Sequence, residues 1–180
     1  MNEEPYDPPY AIARTRDEVL LYLELTPCPD CGTVETSWED GLAHVEGSLV
    51  ISYAGECPGC GASREYLFGL PERETPGPFP NFGGPEASEL LDAGQWLAVA
   101  DRAAGSVGVD DRSEAARAVM SVARAAVEEV VKFIPPGADV VPDDAFWTGE
   151  GRATLDAEPG RFRLERLLVV RDSYRDTGAN

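Results

Sequence analysis

The sequence has one lysine, Lys132, one histidine, His44, two methionines and four cysteines. No apolar run approaches the ~18 residues that a membrane-spanning helix needs, which excludes a helical membrane protein. The lone histidine leaves little room for imidazole-based catalysis, since a catalytic base needs a nucleophile and an orienting acid around it. His44 falls in a hairpin region, and a surface position is expected for it. No dinucleotide fingerprint, Walker loop or nucleophile elbow is present. Met1 to Tyr10 is acidic and proline-rich, with no basic or apolar stretch of the kind a secretory signal carries. The expected location is the cytoplasm.

Positive charge is also scarce, with 15 basic residues against 33 acidic ones and a net charge of −18. A surface of that sign repels phosphate backbones and anionic lipids, because binding them takes a Lys/Arg stripe. No direct nucleic-acid or membrane contact is therefore expected. The acidity admits two readings: the imprint of a GC-rich genome, also visible in the Arg, Gly, Ala and Pro usage, or a face for a cationic partner. Residues 1–85 hold 15 acids and 4 bases, and residues 86–159 hold 15 acids and 6 bases. Residues 160–180 reverse the balance, with 3 acids and 5 arginines: Arg161, Arg163, Arg166, Arg171 and Arg175. These arginines are expected to pair with the acidic body.

A length of 180 residues fits one domain, or a small one with an appendage, and 43% apolar residues can supply a core. Residues 1–14 read as an extended entry. Thr15 and Glu18 have capping-box spacing, followed by a short apolar run, Val19 to Leu25, that periodicity alone cannot assign to helix or strand. Thr33–Trp38 reads as a strand, Asp40-Gly41 as a hairpin turn, Ser48–Gly55 as a second strand and Arg64–Leu70 as a third. Five prolines mark 71–85 as a connector. Beyond it the pattern is helical. One helix is expected after Pro85, with Leu90, Leu91, Trp96, Leu97 and Val99 apolar. A second carries the stripe Ala115, Val119, Val122, Ala126, Val130 and Phe133 and stops at Pro135-Pro136-Gly137. A short helix is expected around Pro142–Trp147 and a last one from about Gly160 to Asp176. The expected class is α+β: a three-stranded antiparallel sheet over 15–70 and three to four helices over 86–180.

The motif that carries chemistry is a duplicated knuckle, Cys28-Pro29-Asp30-Cys31-Gly32 and Cys57-Pro58-Gly59-Cys60-Gly61. Two residues between thiolates let both sulfurs reach one ion from a tight turn, and the trailing glycine permits a positive φ. Two such pairs form a tetrahedral four-sulfur site, the geometry of structural zinc. One Zn²⁺ per chain is the expectation, held by Cys28, Cys31, Cys57 and Cys60. A redox Cys-x-x-Cys would be one pair near a βαβ unit, and disulfides do not suit a chain without a secretion signal. Iron, alone or in an iron–sulfur cluster, competes for the same sulfurs. Four thiolates leave no open position for water or substrate, so the expected role is structural.

Over Thr26 to Leu70 the chain resembles the zinc-ribbon family, through these paired CPxCG knuckles with strand-like segments between and after them. The resemblance implies a rubredoxin-like pair of knuckles on a three-stranded sheet. It implies no single activity, because zinc ribbons serve nucleic-acid binding, protein docking and plain stability.

Other candidates have plainer explanations. Asp110-Asp111, Glu128-Glu129 and Asp143-Asp144 suit capping and solvation better than acid–base work. Gly83-Gly84 and Gly149-Glu150-Gly151 lack the setting of a phosphate loop. Trp38, Trp96 and Trp147 fit core or interface positions. The leading functional expectation is a non-enzymatic, intracellular protein-binding module, in concrete form an acidic inhibitor or immunity-type protein for a basic partner. Its docking face is expected on the acidic hairpin, at Glu35, Glu39, Asp40, Glu46 and Glu56. The alternatives are a nucleic-acid-associated zinc-ribbon accessory factor using the last helix's arginines, and an enzyme with an unrecognised site.

Overall fold

Thr15 starts the first helix: its hydroxyl accepts the Glu18 backbone N–H at 3.2 Å and caps α1, Arg16–Glu24. The Glu18 carboxylate is fully buried and accepts from the Arg14 backbone N–H at 2.9 Å and from its guanidinium at 2.7 Å. Three strands follow in the computed structural model, which describes residues 10–176, the last two by backbone alone. They are β1 (Glu39–Val45), β2 (Ser48–Glu56) and β3 (Ser63–Gly69), antiparallel in the order β1-β2-β3. Val19, Leu23, Val50, Tyr53 and Phe68 are buried, and Tyr22 of α1 meets the edge of Phe68 with ring centroids 5.7 Å apart.

The sheet is displaced from its expected position. Thr33–Trp38 forms no strand, and Asp40-Gly41 lies inside β1 rather than in a turn. The turn is Glu46-Gly47, where φ is 50° and 84°. A two-residue hairpin loop matches the twist of its strands when both residues take positive φ. Gly47 takes it without steric cost, and the next pair, Val45–Ser48, closes the ladder. Of the N-terminal entry, residues 1–9 lie outside the described residues. Residues 11–13 run along the outer edge of β3: Ala13 N–H donates to the Gly69 carbonyl at 3.0 Å, and Gly69 N–H to the Ala11 carbonyl at 2.9 Å. A Cβ on Gly69 would sit 2.7 Å from Ile12 Cδ1 and 3.1 Å from the Tyr10 carbonyl oxygen, so a side chain there would push Ile12 aside.

The chain divides into two compact units, residues 1–77 and 78–180. The second is helical: α2 (Ala93–Gly105), α3 (Glu114–Lys132), α4 (Gly149–Ala157) and α5 (Leu164–Asp176). With α1 the described residues form five α-helices, slightly more than the three to four expected, in an α+β arrangement. Pro85 does not open a helix, because Asp92 does: its carboxylate accepts the Gln95 N–H while the Gln95 side chain accepts the Asp92 N–H, a complete capping box. The α3 stripe is rotated from the expected one and buries Ala116, Ala123, Ala126, Val127 and Val130, whereas Ala115 is exposed. Around Pro142–Trp147 there is only a 3-10 turn, Asp143–Ala145. A second such turn, Pro159–Phe162, takes the start of the expected last helix and buries Phe162.

The helical unit is tied together at one point. Asp92 Oδ2 accepts both the backbone N–H and the hydroxyl of Thr148 at 2.7 Å, and Thr148 in turn caps α4 through the Gly151 N–H. One fully buried carboxylate thus meets the N-terminal ends of two helices, where the helix dipoles favour negative charge. Backbones touch there: a Cβ on Gly94 would collide with the Gly151 carbonyl group, and one on Gly151 would overlap the Asp92 carboxylate. No helix among the described residues is long and apolar enough to cross a membrane.

Candidate metal centre

The two knuckles have the same backbone construction. In the first, Gly32 N–H donates to the Cys28 carbonyl at 2.8 Å and Cys28 N–H to the Thr33 carbonyl at 2.8 Å. In the second, Gly61 N–H donates to the Cys57 carbonyl at 2.8 Å and Cys57 N–H to the Ala62 carbonyl at 2.9 Å. Gly32 and Gly61 take φ of 76° and 75°, a left-handed turn that a side chain would strain. The first cysteine of each knuckle, Cys28 and Cys57, is buried, and the second, Cys31 and Cys60, is exposed.

All four sulfurs lie within 4.8 Å of one another. Across the knuckles, Cys31 and Cys57 approach to 3.5 Å and Cys28 and Cys60 to 3.8 Å. These distances are far beyond the ~2.05 Å of a disulfide bond, and all four cysteines are free thiols. Four soft donors converging on one point can hold a metal ion.

Their ionisation is unequal. Thr33, whose hydroxyl and backbone N–H face the sulfur, pulls the exposed Cys31 thiol down to about 6, with help from Cys57. At Cys60 the Ala62 backbone N–H acts downward, but the Cys31 sulfur, desolvation and the Cys28 and Cys57 sulfurs push it up to about 12. A cation entering near neutral pH must therefore displace the Cys60 proton. Ligation releases protons, so affinity rises with pH and falls on acidification. A metal-indicator titration from about pH 8 to about pH 5 is expected to show progressive release. Full retention at the acid end would contradict it.

Behind the knuckles sits a residue that the sequence pattern marks only as a charge. Arg64 is 4% exposed. Its guanidinium donates to the Thr26 carbonyl at 2.7 Å, to Thr36 Oγ1 at 3.0 Å and to Tyr66 Oη at 3.1 Å, and lies 4.9 Å from the Trp38 ring centroid. It fastens the irregular stretch 33–38 and the approach to the first knuckle onto β3. The one arginine of the three strands is therefore structural. Tyr66, two residues on and so on the same face of β3, is the one partner that a strand pattern could have suggested.

The acidic residues expected to dock a partner do not form one face. Glu35 lies in the irregular stretch, Glu39 and Asp40 in β1, Glu46 in the turn and Glu56 at the end of β2, all exposed. Neighbours on a strand point to opposite sides, which separates Glu39 from Asp40. Asp40 also meets Arg16 at 3.4 Å. His44 is exposed on β1. The other acidic pairs have local partners. The Ser113 N–H holds the Asp111 carboxyl below its usual range, Glu128 pairs with Arg124 and Glu129 with Lys132, and Asp143 pairs with Arg152. Of the late arginines, Arg161 makes a two-pronged pair with Asp101 at 2.6 and 2.8 Å and Arg171 pairs with Asp172, while Arg163 and Arg166 are exposed. The Arg175 side chain lies outside the described residues.

Compared with known proteins, the chain matches no family model, no curated protein and no solved structure.

Proposed function

We propose that the cysteine centre is the structural zinc site of a zinc ribbon, and that the chain is a non-enzymatic, intracellular module that binds a basic protein. The observation that carries this reading is the four-sulfur set itself. Sulfurs around zinc at about 2.3 Å form a tetrahedron with edges of about 3.8 Å. Two of the six separations, 3.5 and 3.8 Å, lie near that figure, and all six are within 4.8 Å. Four thiolates fill the coordination shell and leave no position for substrate or attacking water, so the ion would hold the knuckles together and take no part in a reaction. Cys28, Cys31, Cys57 and Cys60 are its ligands.

The partner follows from charge. At −18, complementary fields would speed encounter with a cationic protein. Burial of Arg64 and the pairing of Arg161 and Arg171 support a protein partner over a nucleic acid. An acidic inhibitor or immunity-type protein covering a basic effector is the concrete form. The test is to identify the bound protein by co-purification under native conditions and then measure its association rate with the purified chain. A basic partner whose on-rate falls steeply as salt rises is expected, since screening acts over about 8 Å at physiological ionic strength. An on-rate indifferent to salt would refute the role given to the acidic surface.

A further inference from the structure

We infer that the outer edge of β1 is a docking edge that takes an extended, cationic segment of a protein as a fourth strand. This inference rests on the protein-binding reading above and specifies its geometry. The two edges of the sheet differ at one end. The last residue of β3, Gly69, is covered by the chain itself through paired hydrogen bonds with residues 11–13. Along β1 no other strand pairs among the described residues, apart from β2 on the inner side.

The register shows which groups are left. The two-residue turn closes on the Val45–Ser48 pair. In a hairpin of this kind that pair is hydrogen-bonded, and bonded and non-bonded pairs alternate from it. Val45, Ala43, Gly41 and Glu39 therefore turn their backbone groups inward to β2. His44, Leu42 and Asp40 turn theirs outward, as three N–H and C=O sets two residues apart. All three residues are exposed, Leu42 to 66%.

Proteins usually blunt such an edge with charged side chains, above all lysine, with proline or with a bulge. β1 has no lysine, proline or bulge and pairs in unbroken register to β2; its charges are acidic, so they turn away acidic strands and not cationic ones. Its charge identifies the occupant. Glu39, Asp40 and Glu46 border the edge, and Arg16, itself largely exposed, lies 3.4 Å from Asp40. A second copy of the chain would bring the same three carboxylates against them, and like charges across a ladder are unfavourable. An extended segment with lysines or arginines meets them with opposite charge. Leu42 supplies an apolar anchor, and backbone pairing supplies the affinity, as in other strand additions.

The experiment uses the full, metal-loaded chain and three synthetic ten-residue peptides. One alternates lysine and valine, one alternates glutamate and valine, and the third is the lysine peptide N-methylated at every residue so that neither of its edges can donate to β1. Amide exchange and chemical shifts are read by NMR. The lysine–valine peptide is expected to protect the amides of Asp40, Leu42 and His44 at least tenfold, and the other two peptides are expected to leave them unprotected. Leu42→Pro removes one outward N–H and spares the inner ladder, so it should weaken binding at least tenfold with the metal retained. Protection elsewhere on the chain, equal binding of the N-methylated peptide, or a β1–β1 dimer would overturn the inference. A native partner that binds with these three amides unprotected would overturn the edge and leave the protein-binding reading standing. Docking of the lysine peptide with no basic partner recovered from cells would do the reverse.

Discussion

Replacing Cys57 with alanine is expected to empty the metal centre and unfold residues 11–69 while the helical unit stays folded. Cys57 is 1% exposed and its sulfur faces Cys31 at 3.5 Å, so three thiolates would remain around a gap. Structural zinc supplies on the order of 10–16 kcal/mol to the folding of small domains, far more than a core of this size provides alone. The core in question is short: Val19, Leu23, Val50, Tyr53 and Phe68 with few neighbours of their kind. The helical unit has its own, built on Leu91, Trp96, Leu97, Val127, Val130, Phe162 and Leu167. Elemental analysis should fall from one metal per chain to none. Amide dispersion should collapse for the sheet residues, and most of the helical circular dichroism should persist. A Cys57→Ala protein that melts like the wild type would show that the centre does not hold the fold.

The second large effect is expected at Asp92. Its carboxylate is fully buried and accepts from Gln95 N–H at 2.9 Å and from both Thr148 donors at 2.7 Å. Asp92→Ala removes an N-cap worth about 1 kcal/mol. It also strands two part-buried Thr148 donors, at about 1–2 kcal/mol each. The expected loss is about 3–5 kcal/mol, which for a unit of this size lowers the melting temperature by about 15–30 °C. Asp92→Asn keeps the shape and one acceptor and should lose about half as much. Thermal melts of the helical signal check both. A shift under about 5 °C for the alanine variant would mean that the two helix ends hold without the shared carboxylate.

The cysteine cluster was legible because its pattern is local. Two residues between cysteines and a following glycine describe a turn completely, and the duplicate confirms which turn it is. The sheet was legible in kind and misplaced in position. Asp-Gly is the stronger hairpin signal, yet the chain turns at Glu46-Gly47, which sets buried Val50 opposite Ala43 of β1 and Gly69 of β3. Short helices fared worst. Gly149 and Gly151 weaken the helical pattern of α4, and the reason for Gly151 is a backbone crossing with Gly94 that no single segment displays. Asp92 was half visible, since Asp92 and Gln95 have capping-box spacing. Its second partner, Thr148, lies far along the chain and enters only through packing. Arg64 was hidden for the same reason: burial of a guanidinium depends on a carbonyl at Thr26 and a ring at Trp38, which the strand pattern around it does not announce.

The turn at Glu46-Gly47 also bears on the order of events when the chain meets its ion. Between Cys31 and Cys57 lie 25 residues that an unfolded chain must close as one loop. Once β1 and β2 zip from Val45–Ser48 to Glu39–Ala54, only residues 32–38 and 55–56 remain to be closed. Loop entropy grows with the logarithm of length, so this shortening lowers the cost of bringing the knuckles together by about 1 kcal/mol, roughly a fivefold gain in capture rate. Hairpins form in about 1–10 μs, well ahead of ion encounter at trace metal concentrations. The turn would thus act as a kinetic part of a metal site. Each transient closing of the hairpin in an unloaded chain would bring the two knuckles near each other.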